Sequence, residues 1–96
     1  MAIGGFQFGS YKNLTSTANV SAKPCAVIGV IVNSTSSGTF QLYDDPATGT
    51  ATPITGTITP TASGFFPINV ETTAGLYVVI GATINITVVY ANTRGF

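Results

Sequence analysis

The sequence predicts an all-β fold, an antiparallel β-sandwich or a small jelly-roll-like barrel. Three observations carry that expectation. Val, Ile and Phe alternate with Thr, Ser and Asn at period two over several short runs, the spacing of a half-buried strand. The 11 glycines and 5 prolines fall largely between those runs, where turns need them. No stretch shows a helical apolar period long enough to count.

Residues 1–10, with Phe6 and Phe8 among Gly and Ala, follow neither period and are expected to form an extended arm. Tyr11 to Val20 is polar with scattered apolar positions, which suits an edge strand, or a strand and a turn. Pro24 opens the run Cys25-Ala26-Val27-Ile28-Gly29-Val30-Ile31-Val32, apolar at both phases and rich in β-branched residues. That is expected to be a central strand covered on both sides. Asn33 to Gly38 has turn chemistry, and Thr39 to Tyr43 resumes the alternation with Phe40 and Leu42 facing inward. Asp44-Asp45-Pro46 starts a loop.

Ile54 and Ile58 alternate with Thr55, Thr57 and Thr59, predicting a further half-buried strand. Thr61 to Gly64 turns the chain. Phe66, Ile68 and Val70 then share one phase, leaving Phe65, Pro67 and Asn69 on the other. Leu76 to Ile80 and Ile84 to Tyr90, separated by Gly81-Ala82-Thr83, give the strongest hairpin signal in the chain. Six or seven strands in one domain follow, spanning residues 11–91, with a tail at 92–96.

Composition narrows the function. Histidine is absent, and only six of 96 residues are charged: Lys12, Lys23, Arg94, Asp44, Asp45 and Glu71. General acid–base catalysis, metal capture and phosphate binding draw on those residue types, so no enzymatic activity, cofactor or metal site is expected. Zero net charge gives no field to attract nucleic acid or an acidic membrane surface, and no apolar run approaches a membrane span. The first residues have no basic region followed by an apolar one, so no secretory signal is expected. Cys25, alone, is expected to be a small buried hydrophobe in a reducing compartment. Asp44 and Asp45 lack the spacing of a calcium loop and are expected to hold a turn. The Asn-x-Ser/Thr triplets at Asn13, Asn19, Asn33 and Asn85 follow from composition and are expected to be silent.

Tyr11-Lys12-Asn13-Leu14-Thr15-Ser16, Ala26 to Asn33, Leu42-Tyr43-Asp44-Asp45, Thr73 to Val79 and Ile84 to Tyr90 together resemble a group of small tailed-phage and prophage virion proteins. The resemblance implies a capsid decoration, or cement, protein: a β-sandwich, often trimeric, on the capsid exterior with the major capsid protein as partner. Phe6, Phe8 and Phe96 lie outside the expected sandwich and are expected to anchor in a neighbouring subunit, with Tyr11 and Phe65 completing the interface. The alternative is a small carbohydrate-binding module that stacks sugars on Tyr11, Tyr43, Tyr77 and Tyr90.

Overall fold

In the computed structural model, which describes residues 9–92, the chain forms five strands: β1 Ser10–Leu14, β2 Ala18–Ser21, β3 Cys25–Tyr43, β4 Gly64–Glu71 and β5 Leu76–Asn92. No described residue is helical. All pairings are antiparallel. The sheet runs β1-β5-β3-β4, and β2 also pairs with β5, beyond the end of β1.

β3 and β5 stay paired from Cys25 opposite Asn92 to Tyr43 opposite Tyr77. A straight strand of 19 residues would span about 60 Å, yet the longest extent of the molecule is 40 Å. The pair therefore bends. The direction of the bend follows from two phenylalanines: Phe66 pairs with Val30, and its ring lies edge-on, 5.9 Å centre to centre, against Phe40. Val30 and Phe40 would be about 33 Å apart on a straight strand. The sheet must fold over so that its two halves face each other across one core. One layer holds β1, the second half of β5, the first half of β3, and β4. The other holds β2, the first half of β5 and the second half of β3. The core of Leu14, Val27, Val30, Val32, Phe40, Leu42, Leu76, Val78, Ile84, Ile86 and Val88 draws on both.

The corner lies where two turn-like segments sit opposite each other. Ser34 pairs with Asn85, Ser36 and Ser37 both with Thr83, and Thr39 with Gly81. Ser37 and Ala82 adopt positive φ, 60° and 56°. The expected turn at Asn33–Gly38 and the expected hairpin linker at Gly81–Thr83 are thus two sides of one bend, and neither reverses the chain. Leu76–Ile80 and Ile84–Tyr90 belong to a single strand, so the hairpin expectation is overturned, and the described residues form five strands where six or seven were expected. Turn residues opposite one another in a ladder can bend both strands while keeping them paired, which no single-segment signal reveals.

β3 also explains its own apolar text. Its register against β5 shifts at Val27/Gly29, Val32/Ser34 and Ser36/Ser37. Each shift is a bulge that places two successive residues on the same face. Buried positions run Cys25, Val27, then Val30, Val32, then Phe40, Leu42. The first bulge changes the inward phase from odd to even. The run is apolar at both phases partly because the phase switches within it, and not because both faces are covered: Ile31, on the outer side, is 38 % exposed.

Residues 53–58 run beside β3 but form only isolated bridges with it, Phe40 with Ile58 and Tyr43 with Pro53, and no continuous ladder. The expected strand at Ile54–Ile58 does not form because the Thr55 hydroxyl takes the Leu42 N–H at 3.2 Å, a side chain doing what a ladder carbonyl would do. Ile54 and Ile58 still pack on the core, as do Phe66 and Ile68, while Val70, at the β4 edge, is partly exposed. Phe40 and Leu42 face inward as expected.

The corner is tight. A Cβ on Gly38 would run into Ile84 Cβ and the Thr83 carbonyl, whereas one on Gly56 meets nothing within 4 Å. Gly38→Ala should therefore destabilise the fold by about 1–3 kcal/mol through overpacking, and Gly56→Ala should change stability by no more than about 0.5 kcal/mol. Denaturant melts of the two variants check this; equal stability would place the bend elsewhere.

Candidate interaction surface

The outer face of the first layer can be built row by row from the pairings. Tyr11, Val89, Gly29 and Pro67 form one row across β1, β5, β3 and β4. Asn13, Thr87, Ile31 and Phe65 form the next. Paired residues present their side chains on the same side, and the rows between, through Val88 and Val30, face the core. Tyr11 is 75 % exposed and Phe65 52 %. The Phe65 ring lies over Gly29, where any Cβ would collide with ring atoms Cζ and Cε1. Ile28, placed outward by the first bulge, is half-buried beside them. Of the expected interface residues, Tyr11 and Phe65 thus share one face, at its opposite edges. Phe6, Phe8 and Phe96 lie outside the described residues, as do the expected arm and tail apart from Gly9, Ser10, which opens β1, and Asn92, which ends β5.

A polar ladder borders this apolar strip. Asn13 Nδ2 donates to Asn85 Oδ1 at 2.7 Å and to the Ile86 carbonyl at 2.9 Å. Asn33 Nδ2 donates to the same Asn85 Oδ1 at 2.9 Å and to Thr87 Oγ1 at 3.0 Å. Three of the four Asn-x-Ser/Thr triplets thereby meet on adjacent strands. That meeting depends on register between segments more than fifty residues apart, which no local pattern carries. Ile28 and Ile31 escaped sequence reasoning for a related reason: period two without the bulge does not separate inward from outward positions in an apolar run.

Both edges of this layer are blunted. β4 carries Pro67, which has no N–H to offer, and Asn69 at φ 56°, where the register against β3 shifts. β1 is five residues long and carries exposed Lys12. Short edges, Pro, bulges and Lys all discourage addition of another strand. The face is open while the edges are protected. At the register shift between β3 and β4, a shallow cleft of about 380 Å³ is lined by Ala26–Ile28 and Asn69–Glu71.

The tyrosines do not make one platform. Tyr43 and Tyr77 pair on the outer side of the second layer, ring centres 6.2 Å apart and tilted 39°. Tyr90 packs against the core, and Tyr11 stands on β1.

Cys25, Asp44 and Asp45 serve the fold. Cys25 is buried; burial pushes its thiol above the ordinary pKa, against a Thr72 contact that favours the thiolate. Thr72 Oγ1 accepts the Cys25 N–H at 3.0 Å. Asp45 Oδ2 accepts the N–H groups of Ala47 and Gly49, both at 2.8 Å, an Asx-type turn as expected. Asp44 reaches across the chain: its carboxylate accepts the N–H groups of Thr73 at 2.9 Å, Ala74 at 2.9 Å and Gly75 at 3.3 Å, and the Thr73 hydroxyl at 3.1 Å. Among the described residues no three His, Cys, Asp or Glu side chains come together in a metal-binding group. Comparison with known proteins returns no matching family model, no similar curated protein and no similar solved structure.

Partial burial raises the Asp44 pKa, but the hydrogen bonds from Thr73, Ala74 and Gly75 outweigh it and hold the carboxyl below its ordinary value. A depressed folded-state pKa contributes stability above the unfolded value, near pH 4, that is lost as pH falls through the folded one. Asp44→Asn should therefore cost about 1–2 kcal/mol at neutral pH. The gap to wild type should close on acidification below about pH 4, as urea melts across pH will show. A gap that widens in acid would reverse the sign.

Proposed function

We propose that this chain is a structural virion protein of a tailed bacteriophage, a decoration or cement protein that packs against assembled capsid subunits on the shell exterior. The observation that supports it is the open outer face, with Tyr11, Ile31 and Phe65 exposed on a chain with so few charges. Exposed apolar strips with polar borders are the surfaces proteins use for one another. On the shell, copies also pack against each other, as a trimer about a local three-fold axis, with the major capsid protein beneath. A protein that binds the assembled shell more tightly than free subunits stabilises the shell by mass action.

Co-sedimentation with undecorated shells tests this. Replacing both Tyr11 and Phe65 by Ser removes two anchors, each contributing about 2 kcal/mol in a desolvated pocket, so attachment should weaken well over tenfold. Wild-type sedimentation of the double variant would remove the face from the interface, and failure of the wild type itself to sediment would overturn the proposal.

One observation favours a second reading: the Tyr43–Tyr77 pair is a two-ring surface on which a sugar can stack. The first proposal predicts no reproducible signal from the wild type on a glycan array. A signal abolished by Tyr77→Ala would put carbohydrate binding first.

A further inference from the structure

The outer face of the first layer is sorted along its strands. Tyr11, Val89, Gly29 and Pro67 make an apolar row, and Asn13, Thr87, Ile31 and Phe65 a mixed one. One step further on, Asn85 lies opposite Ser34, beside Asn33, and the row is polar. None of these side chains is charged. The amide network leaves one donor and one acceptor over. Among the described residues Asn85 Nδ2 donates to no partner and Asn33 Oδ1 accepts from none, whereas Asn85 Oδ1 and Asn33 Nδ2 are both engaged. We propose that two copies of the free protein pair through this face, about a two-fold axis that runs along the strands between β3 and β5. The pair keeps the docking surface covered until a shell subunit takes the place of one copy; that last step rests on the reading above, and the pairing itself does not.

Symmetry selects both the partner and the axis. In a two-fold contact the same patch lies on both sides, so a charged face repels itself and an uncharged one does not. An axis along the strands carries β5 over β3 and β1 over β4 of the second copy and leaves every row on its equal. An axis across the strands would set the apolar row on the polar one. With the first axis, Val89 meets Gly29 and the Phe65 ring that covers it, Tyr11 meets Pro67, and Asn85 Nδ2 faces Asn33 Oδ1 once on each side of the axis. Reciprocal amide bonds of that kind fix the register of identical surfaces. Extent sets the strength. Four strands and three rows cover about 20 Å in each direction, so the two copies together bury on the order of 1,000 Å², below the roughly 1,200 Å² of stable complexes. The pair is therefore reversible, with a dissociation constant of about 10–100 μM. A zero net charge adds no repulsion between whole molecules to oppose it.

The experiment uses the purified full-length protein without shells. Sedimentation velocity over about 1–500 μM should show monomer passing into dimer and stopping there, with little change on adding salt. Asn85→Asp keeps an oxygen to accept the Asn13 and Asn33 N–H groups, but removes the spare donor and sets like charges on both sides of the axis. Ile31→Lys also places like charges beside the axis. Each should raise the dissociation constant by about tenfold or more while keeping the wild-type circular dichroism spectrum. In a Cys25→Ala background a short bismaleimide should join Ile31→Cys chains in pairs. It should not join Val79→Cys chains, because Val79 lies on the outer side of the second layer, next to the buried Val78. A monomer at every concentration, a pair that survives both substitutions, open-ended growth, or linkage through Val79→Cys in place of Ile31→Cys would overturn the proposal. Attachment to shells is read separately by co-sedimentation, so either reading can fail while the other stands.

Discussion

The structure depends on one bent pair of strands. β3 and β5 remain hydrogen-bonded on both sides of the corner, so a single ladder supplies the centre of both layers, and β1, β2 and β4 need only add to its flanks. Bending requires Ser37 and Ala82 in the left-handed region, at a cost on the order of 1 kcal/mol each. What the bend gains is the burial of Phe40 and Leu42 on one arm against Val30, Phe66 and Ile86 on the other, and each fully buried large side chain contributes about 1.5–3 kcal/mol. The balance favours folding over by a wide margin. A straight ladder of the same length would leave one face of every strand in water.

This geometry also explains what the sequence showed and what it hid. Where a strand is straight and bounded by its own turn residues, local text suffices: β1, the inward Phe40 and Leu42, the Asp45 turn and the Phe66/Ile68 face are legible, whereas the expectation of one strand, or a strand and a turn, over Tyr11–Val20 does not resolve β2 as a second strand. The corner defeats local reading because turn chemistry in a single segment does not say whether the chain reverses or merely bends. Only the coincidence of Ser36-Ser37 with Thr83 across the ladder decides it. The strand expected at Ile54–Ile58 fails for a finer reason, the competition of the Thr55 hydroxyl for a backbone N–H. Of the candidate surface, Phe65 is legible as an aromatic on the outward phase of its strand and Tyr11 only as an aromatic in a polar segment, while Ile28, Ile31 and the asparagine ladder depend on bulges and register.

The charge-poor composition acquires a structural meaning once its few charges are placed. Both Asp44 and Asp45 are occupied by backbone N–H groups: Asp45 closes its own turn, while Asp44 ties the end of β3 to the approach to β5, with Gly75 packed so closely that a Cβ there would strike the Ser21 and Asp45 carbonyls. Lys12 guards an edge. Little charge remains to select a partner by field, so under the proposed docking role selectivity on the outer face would come from shape and from amide hydrogen bonding.

Here the asparagine ladder and the blunted edges act together. An open apolar sheet with free edges would recruit strands end on end, giving unlimited assembly. With Pro67, the Asn69 bulge and Lys12 at the margins, approach is confined to the face. A face offers a contact of fixed area, bordered by the hydrogen-bonded amides of Asn13, Asn33 and Asn85. That arrangement limits growth by geometry and needs no electrostatic repulsion, which is the condition a nearly uncharged protein must meet if it is to associate in a defined number and stop.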